Sequence, residues 1–148
     1  MYPNAKGSEQ VARLDTVPLA STAAGTVTSG WVSVANFEKF MAVIETGTLG
    51  TAATVDAKLQ QASDSSGTGA KDITGKAIAQ LVKASNDNDQ AIINLDGGDL
   101  DQANSFKYFR VSVTVGTATS VVGGAVYGVN PLYAPASDFN NASVVQIV

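Results

Sequence analysis

The segment 106–115, in which apolar and polar side chains alternate strictly from position 108 onward, is the feature that most constrains the fold of this chain. A period of two residues is typical of a β-strand that buries one face and exposes the other. The apolar side carries Phe109, Val111, Val113 and Val115, and the other side carries Tyr108, Arg110, Ser112 and Thr114. We therefore predict a long, half-buried strand over this segment.

Shorter segments with strand character recur along the chain and are separated by runs of Gly, Ser, Thr, Asn and Asp. They cover residues 27–34, 40–45, 55–61, 76–82, 91–95 and 121–129, and residues 142–148 could add an edge strand. Turn signals at short, regular intervals with little helix between them are typical of sandwiches, jelly rolls and barrels. We predict one all-β domain over residues 26–148, an antiparallel, jelly-roll-like β-sandwich of about eight strands.

The first 25 residues show no hydrophobic period. Pro3, Gly7 and Pro18 interrupt the segment, and a run of small residues ends it at Gly25. A segment of this kind is either disordered in isolation or ordered by contact with a neighbour. We predict that residues 1–25 form an extended N-terminal arm outside the domain.

The composition excludes most of the usual catalytic and ligand chemistry. The chain has no histidine and no cysteine, which removes the common proton shuttle near neutral pH and the common thiol nucleophile. Nothing in the spacing of the carboxylates selects a catalytic pair. We therefore expect no enzymatic activity, no catalytic residues, no cofactor and no metal site.

The charge of the chain bears on its partners. Only 15% of the residues are charged, against about 25% in typical soluble domains. Interface cores are depleted in charge, so a neutral surface favours a chain that packs against other subunits, although a secreted β-domain is an alternative. The net charge of −4 argues against nucleic acid as a partner. We find neither a membrane span nor a leader segment, which predicts synthesis in the cytoplasm.

Three local patterns suggest a ligand-binding site, but each is a weak match to the motif that it suggests. The glycines between 69 and 76 suggest a phosphate loop, but Ala77 stands where a hydroxyl should bind Mg²⁺. The acidic segment 96–101 resembles one unit of a calcium-binding repeat that works as an array, so a solvated loop is favoured. Four aromatic residues have two possible roles: packing in the core or in an interface, or, as the alternative, forming a platform on which a sugar stacks. They are Trp31, Tyr108, Tyr127 and Tyr133.

Three segments of the chain resemble a family of small virion proteins of tailed phages and prophages, which are encoded close to the major capsid protein. They are FMAVIETGTLGTAATVD at positions 40–56, QQASDSSGTGAKDI at 60–73 and YAPASD at 133–138. The similarity covers about residues 26–148, and the run SDSSGTGAKD is its most specific part. Ala134 stands where the family pattern has Gly before the proline.

The resemblance implies a structural component of the particle. Its most specific form is a capsid decoration (cement) protein with a jelly-roll-like sandwich, a trimer that binds the major capsid protein on the capsid surface. The alternatives are a neck, tail or fibre-base subunit and a carbohydrate-binding module. The candidate contact residues are Arg13, Leu14 and Val17 in the arm and Ser65, Ser66, Thr68 and Lys71 in the loop.

Overall fold

Antiparallel strands make up most of the molecule. The computed structural model describes residues 3–148. Its strands are β1 (Val11–Thr22), β2 (Gly25–Thr28), β3 (Val32–Ser33), β4 (Phe37–Thr46), β5 (Thr54–Ala62), β6 (Lys71–Ala77), β7 (Leu81–Val82), β8 (Gln90–Asp96), β9 (Tyr108–Gly116) and β10 (Ser120–Pro131). A short helix, α1 (Gly7–Gln10), precedes them, and 3-10 turns cover Gly97–Asp99, Gln102–Asn104 and Ala136–Phe139. Within residues 3–148, no helix has the length and apolarity to cross a membrane.

The strands form two sheets whose order is that of a jelly roll. The first sheet runs β1-β10-β4-β8, and the second runs β2-β9-β5-β6, with β3 also paired to β9 and β7 to β5. If β2 and β3 are counted as one segment, and β6 and β7 as another, the chain has eight strand segments. The first segment pairs with the eighth, the second with the seventh, the third with the sixth and the fourth with the fifth. The predicted jelly-roll-like sandwich of about eight strands is confirmed.

The core lies between the two sheets and is built from the alternating apolar residues. Phe109, Val111 and Val113 of β9 are fully buried, as the alternation predicts. Phe40 of β4 meets Phe109 edge to face with ring centroids 5.1 Å apart, which joins one sheet to the other. Each such side chain contributes roughly 1.5–3 kcal/mol when it leaves water.

The prediction of an arm over residues 1–25 is wrong for Val11–Thr22, which form the edge strand β1. Ala12 and Val17 of β1 are buried in the core, and the strand pairs with β10 along its length. Two register shifts, between Arg13 and Asp15 and between Val17 and Ala20, break the pairing. A bulge moves later side chains to the opposite face, so the strand shows no period of two in its sequence.

Other boundaries also differ from the prediction. β4 begins at Phe37, three residues before the predicted start of this strand at position 40. The segment predicted as one strand over 76–82 is divided between β6 and β7, and Gly75 within β6 has a φ of +76°. Residues 142–148 form no strand, because no strand of residues 3–148 lies beside them.

Candidate functional site

The loops gather at two ends of the sandwich. One end is formed by the connections 29–36, 63–70 and 97–107, where β5 finishes and β6 begins. We call it the 63–70 end. The opposite end is formed by residues 23–24, 47–53, 83–89 and 117–119. The 63–70 end contains four of the seven predicted contact residues, so it is the candidate interface.

The loop 63–70 is held in one conformation by its own hydrogen bonds. The Asp64 carboxylate accepts hydrogen bonds from the backbone amides of Ser66 (2.9 Å) and Thr68 (3.0 Å). The amide of Ser63 donates to the carbonyl of Thr68 at 3.0 Å, which closes the loop. Hydrogen bonds to the Asp64 carboxylate, from the Thr68 side chain first and then from the amides of Thr68 and Ser66, hold its pKa below the ordinary value because they favour the charged form.

One side of the loop packs against Trp31. Gly67 has a φ of +87°, and a Cβ at this position would lie 2.6 Å from the indole Nε1. The Arg110 guanidinium lies over the Trp31 ring, 4.5 Å from its centroid. Arg110 also donates from Nε and Nη2 to the Oε1 atom of Gln60, at 3.0 and 2.9 Å. Only a glycine allows the backbone to approach the indole this closely.

The other side of the loop is tied to the connection 97–107 through Lys71. Its ammonium forms an ion pair with Asp101 at 2.6 Å and lies 4.4 Å from the centre of the Phe106 ring. The hydrogen bond from Lys71 is the largest cause that lowers the pKa of Asp101. The Asp101 amide donates to the buried Gln61 at 2.7 Å. Lys71, a predicted contact residue, is therefore engaged within its own chain.

What the loop presents to solvent is small and uncharged. Ser65, Ser66 and Thr68 are exposed, as are Gly69 and Ala70. Because the backbone is already fixed, hydroxyl groups at these positions can hydrogen-bond to a partner with little further loss of conformational entropy. The arrangement suits adhesion to a protein surface.

The predicted arm contacts lie on the strand β1, and their role as contact residues stays a prediction. Val17 is buried in the core and so exposes no side chain to a partner, whereas Leu14 is partly buried and packs against that core. Leu14 also lines a cavity of about 210 Å³ together with Trp31 and Phe37. Arg13 is half-buried, and its guanidinium donates to Thr16 at 3.0 Å. All three belong to β1, an integral strand of the first sheet.

Each carboxylate of the acidic segment 96–101 forms an ion pair with a lysine. Lys39 pairs with Asp96 at 2.9 Å, and Lys76 pairs with Asp99 at 2.8 Å. The hydrogen bond from Lys76 is the largest cause that lowers the pKa of Asp99. Within residues 3–148, no group of three side chains of the ligand-forming types is placed to hold a metal ion.

The four aromatic residues do not form one platform. Tyr127 lies on β10 in the first sheet, whereas Tyr108 lies on β9 in the second. Trp31 is covered by Arg110, and of the four only Tyr133, in the segment after β10, is strongly exposed, at 69%. The structure therefore does not bring these rings together around a sugar.

Sequence reasoning missed the residues that support the loop. Trp31, Gln60 and Arg110 lie far apart in the sequence and come together only because β3, β5 and β9 are neighbours. The one local signal is Gly67, since a glycine inside a polar loop often marks a positive φ. A glycine in the sequence does not indicate that the ring it packs against is that of Trp31.

Comparisons with known proteins give distant structural matches. No protein-family model and no curated protein sequence matches the chain. A solved structure of broad bean stain virus matches with a TM-score of 0.49 and 9% identity, covering 90% of this chain and 95% of that one. An empty particle of cowpea mosaic virus matches with a TM-score of 0.41 and 11% identity, covering 88% and 89%. The family 22 carbohydrate-binding module of Clostridium thermocellum Xyn10B matches with a TM-score of 0.35 and 16% identity, covering 90% of each chain.

These matches all have TM-scores below 0.5 and identities of 16% or less. The assignment of the jelly roll rests on the strand order, and the matches add nothing to it.

Proposed function

We propose that this protein is a non-enzymatic structural subunit of a tailed-phage particle, a decoration protein that binds the major capsid protein on the outer surface of the head. It attaches through the 63–70 end and acts as a homotrimer. Ser65, Ser66 and Thr68 make the contacts, and Lys71 holds the loop in place for them.

The observation that carries this proposal is the state of the loop 63–70. The segment with the most specific resemblance to small virion proteins is also the one fixed from three sides, by Asp64, by Trp31 and by Lys71. The residues that this loop exposes are small and uncharged: Ser65, Ser66, Thr68, Gly69 and Ala70. A rigid, neutral loop favours docking, because association then orders few further groups.

Multivalency makes modest contacts sufficient for this role. A subunit joined to two others presents three identical loops to the repeating surface of a shell, and linked contacts raise the effective affinity without any new interaction. The low charge of the chain supports close packing against neighbouring subunits, because few ions have to be desolvated.

The test is binding to purified heads that lack this protein, with a matched pair of variants. Ser66→Arg places a large cation on the exposed loop and should weaken binding about ten-fold or more, a change of about 1.4 kcal/mol. Ser85→Arg makes the same change at an exposed serine of the opposite end and should bind like the natural chain. Equal binding by both variants would refute the proposed surface.

Copy number in the native particle separates this role from its rivals. Copies in the hundreds support decoration, whereas a single ring of subunits indicates the neck, the tail or a fibre base. A carbohydrate-binding module would instead give saturable glycan binding that is lost when Tyr133 is replaced.

A further inference from the structure

The C-terminal segment 142–148 has the properties of a strand without a sheet. Its sequence is Ala-Ser-Val-Val-Gln-Ile-Val, and β-branched residues of this kind favour strands. The exposed fractions of Val145, Ile147 and Val148 are 92%, 52% and 109%. Within residues 3–148, no backbone hydrogen bond reaches residues 145–148. An apolar, β-prone segment in this state lacks its partner.

The root of this segment is fixed to the open edge of β1. The amide of Arg13 donates to the Asn140 side chain at 2.9 Å, and its carbonyl accepts from the amide of Asn141 at 2.7 Å. The Asn141 side chain also contacts the Asp15 carboxylate at 3.2 Å. The C-terminal segment therefore leaves the domain from a defined place on one edge of the first sheet.

The opposite edge of the same sheet is β8, and half of it is open. The Asn94 carbonyl accepts from Lys76 at 3.0 Å, and the Asp96 amide donates to Asp99 at 2.8 Å, so backbone groups of even-numbered residues point away from β4. By the period of two, those of Gln90 and Ile92 point the same way. Ile92 is 56% exposed. An apolar residue on an open edge invites another strand.

We infer that residues 142–148 of one copy add as a strand to the open half of β8 in a second copy. Backbone groups of Gln90 and Ile92 then gain hydrogen bonds, and Val145 and Ile147, which share one face of an extended strand, lie on the same face as Ile92. The contact is head to tail, which closes into a ring when three copies are related by rotation. This inference rests on the proposed homotrimer, and the pairing of residues 142–148 with β8 is the contact that would hold its subunits together.

Reach excludes the same pairing within one chain. The first sheet has four strands, so a new strand beside β8 lies about 20 Å from β1 at roughly 4.8 Å per strand. Seven fully extended residues span about 24 Å. The path across the sheet would consume nearly the whole segment and leave no residues to pair, so β8 must belong to another copy.

The other edges of the domain offer less to a strand. The edge of β1 carries two bulges and Pro18, and Asn141 already covers it at Arg13. β2 and β3 are four and two residues long. β6, the other outer strand of the second sheet, carries two lysines and is interrupted by Gly75 with a φ of +76°. Lys76 blocks the second half of β8. Bulges, prolines, lysines and short strands are the usual means by which proteins prevent pairing at an edge. Gln90–Ile92 belongs to the seven-residue strand β8 and carries no bulge, proline or lysine.

The experiment measures the mass of the purified full chain by analytical ultracentrifugation. The natural chain should sediment as an oligomer, and a chain ending at Asn141 should sediment as a monomer that still unfolds in one cooperative transition, at a melting temperature that no longer depends on protein concentration. Ile92→Lys should weaken association about ten-fold or more. Leu19→Lys is the matched control, because Leu19 is 61% exposed on the far strand of the same sheet, and it should associate normally.

A cross-link tests the identity of the two surfaces. The chain has no cysteine, so Ile147→Cys in one preparation and Ile92→Cys in another should form a mixed disulfide on mild oxidation, in excess of either like pair. A monomeric natural chain, or an oligomer that survives both the truncation and Ile92→Lys, overturns the inference. Because no heads are present in these measurements, their failure is distinct from a failure of the proposed role on the capsid.

Discussion

A glycine is needed at position 67 for two physical reasons that can be separated. Its φ of +87° is unfavourable for any residue with a Cβ, and that Cβ would collide with the Trp31 indole. Gly75 has a similar φ of +76° with nothing within 4 Å of its Cβ position. The two glycines therefore differ in packing and not in backbone conformation.

We predict that Gly67→Ala destabilises the domain more than Gly75→Ala. The left-handed conformation costs about 1–2 kcal/mol in either variant, and the collision adds about 1–3 kcal/mol at position 67 alone. Urea unfolding measures both values. The chain has one tryptophan, so a red shift of its emission in Gly67→Ala alone would report the displaced ring. Equal losses of stability would contradict the packing of Gly67 on Trp31.

At the scale of single residues, the sequence predicts local roles better than distant ones. The serines of the 63–70 loop were placed at the surface correctly, because a polar run rich in glycine rarely enters a core. Val17 was misplaced, because its burial depends on a bulge in β1 and on β10. Neither the bulge nor the partner strand has a sequence signature close to Val17.

The strand β1 is the element whose interpretation changes most. We expect that a chain beginning at Gly25 fails to unfold cooperatively, because it lacks Ala12 and Val17 in the core and leaves β10 paired on one side only, to β4. A chain beginning at Gly7 keeps α1 and β1 and should unfold in one transition. Circular dichroism in urea distinguishes the two. Cooperative unfolding of the shorter chain would contradict this expectation and support the predicted arm over residues 1–25.

The 63–70 loop should respond to acid through Asp64. The pKa of this carboxyl is lowered in the folded protein, so its contribution to stability is complete above the ordinary pKa of Asp and is lost as the pH falls through the lowered value. The amide resonances of Ser66 and Thr68 should titrate with a midpoint below about 3.9, the value for an unperturbed Asp.

Two variants check this assignment. Asp64→Asn should abolish the titration at both amides, whereas Asp138→Asn, on the turn Ala136–Phe139 outside the loop, should leave it unchanged. A midpoint at or above the ordinary value in the natural chain would contradict the hydrogen bonds of the loop.

At the scale of elements, the sequence predicts the position of a strand correctly where one face of the strand is solvent-exposed and its pairing is regular. β5 and β9 lie side by side without a register shift between them, and both were found from their alternation. β6 is paired irregularly with β5, and its predicted position was displaced toward β7. Regular pairing preserves the period of two, and bulges remove it.

At the scale of the whole molecule, the class of fold was predictable, and the sheet order was not. The jelly roll depends on pairs such as Arg13 with Tyr127, which are separated by more than a hundred residues. No local pattern specifies such a pair. The sequence also does not show that the C-terminal segment starts at one edge of a four-stranded sheet and that the open edge lies on the other side.

The same long separations should make folding slow, and circular permutation tests this. Joining Val148 to Met1 through a short Gly/Ser linker and opening the chain between Ala23 and Ala24, both exposed, places β1 after β10 in the chain. The separation of Arg13 and Tyr127 then falls to about 40 residues, and the lower loop-closure entropy should speed refolding about five-fold if this pair forms before the rate-limiting barrier.

Stopped-flow fluorescence of Trp31 measures the refolding rate, and the unfolding rate should stay within about two-fold of that of the natural chain, because the contacts of the folded state are unchanged. A permutant that folds no faster would place the pairing of β1 after the barrier. The second sheet, in which β9 pairs with both β2 and β5, would then be the part that forms first, with β1 closing the sandwich last.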